Sequence, residues 1–342
     1  MTTTAEKTMK FGVSQAFPPI SDSLRILRAA EDAGFDQYWF FDSHVIWLEC
    51  YSALGWLIGQ SRNEKMEFGT CVTNPVTRDP LVVTSAFATL NRITGGRMIC
   101  GIGRGDSSVR AIKRRPANLD RVEEAVNTIR TVGSGQPTEI DGARVHMEWA
   151  EGRIPVYVAG YGPKALRLAG RVGDGVIFQV ADPFFIEWGM QFVREGAEEA
   201  GRDPDDIVIH CAAATYVSDD RDDARNRVRW FPALVANHIV DVLRHHDPDV
   251  MPSYITEYVE ARPNYDYYEH GQPGADHSKY VPDEIADKFC VIGSAEECSE
   301  KVRELASIGV SEFNIYPIPE LEEIIGIYGR EIAPQVRATG VA

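Results

Sequence analysis

The feature that most constrains the fold is a regular alternation along the chain of short apolar runs and longer segments with helical periodicity. The first apolar run extends from Lys10 to Phe17. The segment from Ser21 to Ala33 then places apolar residues on one helical face and is followed directly by Gly34, a residue that commonly ends a helix. Such alternation is typical of repeated βα units around a parallel sheet.

Eight apolar runs are candidate strands, and each is nearly continuous in apolar residues, as a strand buried on both faces should be. The predicted strands cover residues 10–17, 37–43, 68–74, 97–103, 156–160, 174–180, 207–216 and 313–317. An open doubly wound sheet would also alternate, but it usually has a glycine-rich turn after its first strand, where this chain reads AFPPISDS. The pattern favours a closed (β/α)₈ barrel, a TIM barrel, as a single domain over residues 1–342.

Two insertions interrupt the alternation. Residues 138–149 alternate like a hairpin, with Asp141 and Gly142 as the turn signal. A longer insertion, residues 219–288, begins with a charged helix that becomes apolar and aromatic (RWFPALVANHIVDVL) and continues into a loop-like segment. An excursion of this length inside a barrel usually forms a lid, a substrate wall or an oligomer contact.

Charge and hydropathy exclude several kinds of partner. The chain has 35 Lys and Arg against 51 Asp and Glu, a formal net charge of −16, which repels nucleic acid and anionic membrane surfaces. The same acidity is equally explained by solubility. The N-terminal sequence lacks the apolar core of a signal peptide, and no apolar stretch approaches the roughly 18 residues that span a bilayer. The expected location is the cytoplasm.

The cysteines and histidines do not form a recognisable metal site. The six cysteines include no CxxC pair and are expected to be reduced packing residues. His245 and His246 are adjacent, so on a helix their side chains point about 100° apart, and His270 and His277 flank a loop. No GxSxG, Walker or HExxH motif is present either. We therefore expect no metal and no hydrolase or phosphotransferase chemistry.

Polar and glycine-rich segments follow several of the predicted strands, at the barrel end where such folds place their chemistry. The distinctive segments are YWFFDSHVIW (38–47), GTCVTNP (69–75), GIGRGDS (101–107), VAGYGPKAL (158–166) and CVIGSAEECSEKVRELASIGVSEFNIY (290–316). Together they resemble the luciferase-like oxidoreductase superfamily, in particular the coenzyme F420-dependent branch that includes methylenetetrahydromethanopterin reductase. The resemblance covers nearly the whole chain except the long insertion.

The first segment supplies the predicted catalytic residues. The resemblance implies that His44 lies against the redox ring and exchanges a proton as a hydride arrives or leaves, with Asp42 fixing its tautomer. Ser43 is expected to contact the cofactor and Trp47 the substrate. Spacing alone favours a simpler interpretation, in which His44 belongs to a hydrogen-bond network at the barrel end.

The second segment is expected to shape the cofactor site. Relatives have a non-prolyl cis peptide at this place, which here would join Cys71 to Val72 and press on the ring from behind. Thr73 and Asn74 complete the predicted contact, with Asn74 hydrogen-bonded to the ring edge. Without the resemblance, the same residues are compatible with an ordinary buried strand.

The two glycine-rich segments are predicted to hold the phosphate-bearing part of the cofactor, because glycine lets backbone amides approach closely and a helix N-terminus attracts anions. Arg104 stands where methanopterin reductases often have proline, which adds a cationic contact or signals another cofactor. Lys164 either strengthens the anion site or faces solvent. The predicted contacts are Gly103, Arg104, Gly105, Asp106, Ala159, Gly160, Tyr161, Gly162, Pro163 and Lys164.

The fifth segment reads as a helix start with Ser294 followed by acidic residues, and it contributes little chemistry. Substrate contacts are instead expected in the long insertion, at Trp230, Phe231, Asn237 and His238. Their aromatic content suits a flat or apolar molecule, although the same residues also suit a dimer interface. Barrel relatives are often dimers, so a homodimer is expected.

These observations lead to three functional hypotheses. The first is an oxidoreductase that transfers a hydride between F420 and a small organic substrate, the cofactor supplying the difficult chemistry. The alternative is a monooxygenase that uses reduced FMN and O₂ in the same pocket. The third is a cofactor-free binding or structural barrel, which has no chemical need for His44 or the glycine-rich loops.

Overall fold

In the computed structural model, the described residues are 8–15, 19–243, 253–262, 274–316 and 320–338. The strands are β1 (Lys10–Gln15), β2 (Gln37–Phe40), β3 (Glu67–Thr70), β4 (Met98–Ile102), β5 (Thr138–Ile140), β6 (Ala143–Val145), β7 (Val156–Ala159), β8 (Gly175–Phe178), β9 (Val208–Val217), β10 (Val291–Gly293) and β11 (Glu312–Tyr316). Eight of them form a closed parallel barrel in the order β1, β2, β3, β4, β7, β8, β9 and β11, because β11 pairs back onto β1. The predicted α/β barrel is confirmed.

All eight predicted strands exist, but several end earlier than the sequence suggested. The second ends at Phe40 and the third at Thr70, so the residues after them leave the sheet as loops. Thr73 returns to the barrel only through one isolated bridge to Ile102. The long β9 continues past the barrel, and its last residues pair with the short β10.

Helices surround the barrel. Their bounds are α1 (Ile20–Asp32), α2 (Cys50–Gln60), α3 (Pro80–Thr94), α4 (Ser107–Arg110), α5 (Leu119–Val132), α6 (Pro163–Val172), α7 (Pro183–Glu199), α8 (Arg221–Val228), α9 (Trp230–Leu243), α10 (Ser253–Ala261), α11 (Asp283–Phe289), α12 (Ala295–Ser307), α13 (Leu321–Ile327) and α14 (Ala333–Arg337). The predicted start of α12 is confirmed as a capping box, in which Ser294 and Glu297 satisfy each other's backbone amides. Within the described ranges, no helix is long and apolar enough to cross a membrane.

The two insertions have different structures. Asp141 and Gly142, both with positive φ, form the tight turn between the short antiparallel strands β5 and β6, so the predicted hairpin is confirmed. The described part of the long insertion is mainly helical and contains α8, α9, α10 and α11. His245, His246 and His270 lie outside the described residues. All six cysteines are buried.

The barrel interior is filled by aromatic rings that stand against glycines. A Cβ atom on Gly69 would lie 2.5 Å from the Trp39 ring, and one on Gly175 would lie 2.7 Å from the Tyr157 ring. The rings of Trp39 and His210 pack with their centroids 4.6 Å apart. These positions need glycine because a larger residue would collide with a ring that has no free space beside it.

Polar side chains cluster around the N-terminal ends of the strands. His210 Nδ1 lies 3.0 Å from Glu312 Oε2, and the Tyr157 hydroxyl donates to Glu312 Oε1 over 3.2 Å. Lys10 pairs with Glu67 at 2.8 Å. We call this group the basal cluster, and its members are Lys10, Gln37, Glu67, Tyr157, His210 and Glu312. Together with the rings above it, the cluster fills this end of the barrel.

Candidate active site

A cavity of about 500 Å³ lies at the opposite end, where the loops after the strands converge. It is lined by segments that follow β2, β3, β4, β7 and β8, together with Tyr316 at the end of β11 and one face of α9. The residues predicted from sequence that line it are Asp42, Ser43, Trp47, Cys71, Val72, Gly103, Arg104, Gly105, Asp106, Ala159, Gly160, Tyr161, Gly162, Lys164, Trp230 and His238. The predicted residues that do not are His44, Thr73, Asn74, Pro163, Phe231 and Asn237.

The loop after β2 contains Asp42, Ser43 and His44, and these three polar residues occupy different environments. The amides of Ile46 and Trp47 donate to the Ser43 carbonyl at 2.8 and 2.9 Å, which closes a tight turn directly after Ser43. Ser43 is part of the cavity lining, and its hydroxyl shares a hydrogen bond of 2.6 Å with Ser107. His44 is exposed and lies outside the cavity lining. Its role as proton partner stays a prediction, and this geometry does not support it.

Asp42 is tied into an ion pair. Its side chain is 0% exposed, and both carboxylate oxygens accept from Arg78, at 2.8 and 2.9 Å. The Thr73 hydroxyl donates to the same carboxylate over 2.7 Å. Asp42 therefore joins the loops after β2 and β3 beneath the cavity, rather than fixing the tautomer of His44 as expected.

The segment after β3 supplies two lining residues and two supporting ones. The peptide bond between Cys71 and Val72 is cis, and both side chains line the cavity. The Thr73 hydroxyl is hydrogen-bonded to Asp42. Asn74 accepts from two backbone amides of its own turn and donates to Ser108 over 3.0 Å, so its side chain orders the loop instead of reaching the cavity.

The glycine-rich segment after β4 needs glycine at position 105. Gly105 has a φ of +89°, and a Cβ there would lie 2.5 Å from Val109. The side chain of Arg104 donates from Nε to the Ala117 carbonyl over 2.6 Å, and the Ala117 amide donates back to the Arg104 carbonyl over 2.8 Å. Arg104 thus anchors the segment around Ala117 at the rim of the cavity.

The segment after β7 leads directly into α6. Gly162 occupies the N-cap position, which carries no side-chain cap, and Pro163 is buried in the first turn. The backbone amides of the first turn lie beside the cavity, next to the exposed side chain of Lys164. A helix N-terminus with an adjacent cation suits an anionic group.

A hydrogen-bonded chain crosses one side of the cavity. The Tyr161 hydroxyl donates to Gln179 Oε1 over 2.8 Å, Gln179 Nε2 donates to the Tyr316 hydroxyl, and Cys71 Sγ lies 3.3 Å from that hydroxyl. Burial raises the pKa of Cys71 to about 11 and raises the pKa values of both tyrosines well above their ordinary range. These groups are therefore protonated, hydrogen-bonding walls of the site at neutral pH.

Helix α9 closes the cavity from the side of the long insertion. Trp230, Leu234, His238 and Val242 line the cavity at intervals of four residues, which places them on one helical face. Phe231 and Asn237 point elsewhere because neighbouring residues on a helix diverge by about 100°. Phe231 packs against Tyr316, and Asn237 accepts from Arg262 over 2.5 Å.

The sequence matches the model of a known family. Residues 2–312 match the model described as luciferase-like monooxygenase. The chain belongs to this luciferase-like family. It is 33% identical over 344 residues to a 5,10-methylenetetrahydromethanopterin reductase of Archaeoglobus fulgidus, a match that covers 96% of this chain and 100% of the relative.

Other relatives extend the comparison. An F420-dependent glucose-6-phosphate dehydrogenase of Microbacterium testaceum is 27% identical, with 90% of this chain and 91% of that protein covered. Among solved structures, an F420-dependent secondary alcohol dehydrogenase in complex with an F420-acetone adduct superposes with a TM-score of 0.75 at 23% identity, over 96% of this chain and 99% of the other. A monooxygenase of Pseudomonas putida in complex with FMN also shares the fold, with a TM-score of 0.66 at 16% identity over 96% of this chain and 98% of the other. The luciferase-like barrel is thus established by both sequence and structure.

Several lining residues of this luciferase-like chain were not predicted from the sequence. Gln179 directly follows β8 and Tyr316 is the last residue of β11, so a polar group at the C-terminal end of an apolar strand was the signal that would have found them. Ser107, Arg110 and Asn118 come from α4 and the loop after it, where no motif marks them. Only the folded chain brings that loop over the barrel end.

The charge around the cavity differs from that of the whole chain. Arg104, Arg110 and Lys164 line it, against Asp42 and Asp106; Asp42 is paired with Arg78, and Asp106 is paired with Arg110. A chain with a formal net charge of −16 therefore presents a locally cationic cavity rim. Such a rim favours a ligand that carries negative charge.

Proposed function

We propose that this chain is an F420-dependent oxidoreductase that transfers a hydride between the deazaflavin and a small organic substrate. The single observation that carries the proposal is the convergence of four family segments, those after β2, β3, β4 and β7, on one cavity. Relatives that are aligned over nearly the whole chain include reductases and F420-dependent dehydrogenases. The cofactor, when bound, supplies or accepts the hydride, and the protein orients it.

The residues of the cavity fit such a cofactor. Ser43, Cys71 and Val72 form the wall where the flat ring system is expected to lie. Trp230 is 3% exposed, and its Nε1 has no acceptor among the described residues, which is unusual for a buried donor. A ligand rich in carbonyl and ring-nitrogen acceptors would satisfy this indole.

The phosphate-bearing part of the cofactor fits between the segments after β4 and β7. Gly103 and Gly105 let the backbone of the first segment approach closely, and the start of α6 offers free amides beside Lys164. Gly162 at the N-cap has no side chain that could cap these amides, and Pro163, which is buried in the first turn, has no N–H of its own to leave unpaired.

The alternative is a monooxygenase that uses reduced FMN and O₂. The description of the family model names monooxygenases, and the fold is shared with FMN enzymes. A flavin also carries a flat ring and a phosphate, so the same walls accept it. Hydride transfer with F420 is preferred because the F420-dependent relatives are similar in sequence over nearly the whole chain.

The experiment that tests the proposal measures binding and turnover together. Purified protein is titrated with F420 and, separately, with FMN, each oxidised and reduced, and binding is followed by fluorescence. We expect micromolar or tighter binding of F420 and at least tenfold weaker binding of FMN. Tight FMN binding without F420 binding, together with O₂ consumption, would establish the monooxygenase instead.

Homodimer formation belongs to the same proposal. Trp56 on α2 is 42% exposed, and Val82 and Ile93 on α3 are 64% and 63% exposed. Val82 and Ile93 are three helical turns apart and therefore lie on the same side of α3. Light scattering on a gel-filtration column is expected to give twice the chain mass, and a monomer at micromolar concentration would contradict this part. The cytoplasmic location stays a prediction.

A further inference from the structure

A short basic loop lies at the mouth of the cavity and begins at the last residue of α4. It covers residues 110–116 and reads RAIKRRP. Its first residue, Arg110, and its last, Pro116, line the cavity. The residues between them do not, and three of these are exposed cations: Lys113, Arg114 and Arg115. The basic loop therefore leaves the cavity wall, presents three positive charges to solvent and returns to the wall.

Backbone hydrogen bonds hold the basic loop in one conformation. The Lys113 amide donates to the Arg110 carbonyl over 2.9 Å, and the Arg114 amide donates to the Val109 carbonyl over 3.0 Å. Lys113 has a φ of +59°, in the left-handed region that favours glycine, so these bonds and not the preference of lysine fix the turn. The three cations are thus held side by side before any ligand binds, which lowers the entropic cost of binding one.

The three cations of the basic loop lack acidic partners. Among the described residues they form no ion pair, although the chain has a formal net charge of −16. The carboxylates of the following helix, α5, are engaged elsewhere, because Glu123 pairs with Arg171 at 2.5 Å and Glu124 pairs with Arg121 at 2.7 Å. Adjacent like charges repel one another, and a bound polyanion would relieve that repulsion.

We propose that the basic loop binds the glutamate tail of F420, and that the enzyme thereby recognises this cofactor beyond its phosphate. F420 carries a chain of γ-linked glutamates after its phosphate, and each glutamate brings a free carboxylate, whereas FMN ends at its phosphate. The inference rests on the proposed function, which places the phosphate between the segments after β4 and β7. A chain that leaves this phosphate along the β4 side passes Arg110 and meets the three cations.

The expected contribution is moderate and sensitive to salt. Each contact lies at the surface, so a single pair adds little affinity and is screened by ions. The tail is covalently joined to the bound ring, however, so its carboxylates are present at a high effective concentration beside the basic loop. The affinity of the enzyme for F420 therefore increases with the number of glutamates and loses this dependence at high salt.

The first test compares ligands that differ only beyond the ring and phosphate. F420 with a long glutamate tail and the tailless form, which ends at its phospholactyl group, are titrated separately and followed by fluorescence. We expect the tail to strengthen binding about tenfold in about 20 mM NaCl and less than twofold in about 500 mM NaCl, where screening is nearly complete. Equal affinity for the two deazaflavins at low salt would overturn the inference.

The second test removes the charges of the basic loop. The loop variant replaces its three exposed cations with glutamine, as Lys113→Gln, Arg114→Gln and Arg115→Gln together. The control variant replaces three other exposed cations that do not line the cavity and form no ion pair among the described residues: Lys65, Arg144 and Arg194. Both variants lose the same charge, and circular dichroism checks that both are folded.

We expect the loop variant to lose the tenfold gain from the tail and to bind the tailless deazaflavin within twofold of wild type. The control variant is expected to keep at least half of the gain, because its charges are removed from other faces of the molecule. An equal loss in both variants would show that overall charge and not the basic loop attracts the tail, and would overturn the inference.

The outcomes separate the inference from the proposed function. If the loop variant binds tailed F420 as the wild type does, the inference fails and the proposed function stands. If the wild type binds neither deazaflavin but binds FMN tightly, both fail.

Discussion

The two ends of the barrel differ in what their polar side chains contact. At the N-terminal end, the members of the basal cluster hydrogen-bond one another, as Glu312 does with His210 and Tyr157. At the C-terminal end, Arg110, Lys164 and His238 face a cavity of about 500 Å³, and the Trp230 indole lacks an acceptor among the described residues. The same parallel strands support both ends. Hydrogen bonds and ion pairs within the basal cluster stabilise one end, although His210 Nε2 has no partner there among the described residues, and groups directed at a cavity give the other end function.

The Asp42–Arg78 pair is the exception, because it is an internally satisfied group at the functional end. Arg78→Met is expected to lower the free energy of unfolding by about 3–5 kcal/mol, since it leaves a buried carboxylate unpaired. Urea unfolding, monitored by circular dichroism, measures this loss of free energy. Arg25→Met removes an exposed arginine that pairs with Asp22 and Glu322 at 3.3 Å, and it is expected to cost less than about 1 kcal/mol. Equal losses in the two variants would contradict this account.

Glu312→Gln tests the basal cluster. Burial would raise the pKa of Glu312, but the hydrogen bond and charge of His210, with the charge of Lys10, lower it below its ordinary value. Stability from such a group is present above the unfolded-state pKa and is lost as the pH falls through the folded-state pKa. We expect the variant to lose about 2 kcal/mol at pH 7 and progressively less below pH about 4.5, in unfolding experiments across pH 3–8. A loss that does not change with pH would refute the assignment.

Gly105→Ala tests how closely the functional end is shaped. The new methyl group would lie 2.5 Å from Val109 in a backbone with a φ of +89°. The variant is expected to lose about 1–2 kcal/mol of stability and more than tenfold in F420 affinity, because the cofactor loop must shift. Gly142→Ala is the control. Gly142 has a φ of +76° in the hairpin, and nothing lies within 4 Å of the new methyl group, so this variant measures the cost of the backbone conformation alone. Unchanged F420 binding in Gly105→Ala would show that the loop does not hold the cofactor.

Trp230→Phe is the mildest change at the functional end. It keeps an aromatic ring against the cavity but removes the indole N–H that lacks a protein acceptor. If that group donates to the ligand, F420 affinity falls about fivefold to tenfold, the value of one hydrogen bond of about 1 kcal/mol. Stability is expected to stay within about 0.5 kcal/mol, because no internal hydrogen bond is lost. A loss of stability without a change in F420 affinity would place the partner of the indole within the protein.

The barrel was predictable from the sequence because eight apolar runs have the length and continuity of strands buried on both faces. The segments around Cys71, Gly105 and Gly162 were also found, since each follows a strand directly. The orientation of single side chains was not predictable. His44 and Ser43 are neighbours, and only the turn closed by Ile46 and Trp47 decides that Ser43 faces inward.

The basal cluster and the wall formed by α9 show the same limit. Glu312 lies just outside the predicted strand 313–317, but it begins β11, and closure of the barrel buries it beside His210. In α9, four aromatic or polar residues were equally plausible substrate contacts. Helical geometry then directs Trp230 and His238 to the cavity and turns Phe231 and Asn237 away. Long-range packing determines these side-chain orientations, and local sequence patterns do not encode it.

The central claim, that the C-terminal cavity binds F420, is tested most directly by filling that cavity. Ala159 is half-buried in its wall, so Ala159→Phe places a ring in the proposed cofactor volume, while Glu312→Gln alters only the opposite end. Fluorescence titration with F420 is expected to show at least 50-fold weaker binding to Ala159→Phe and binding within twofold of wild type to Glu312→Gln. Circular dichroism confirms that both variants are folded. Wild-type affinity in folded Ala159→Phe would contradict the claim.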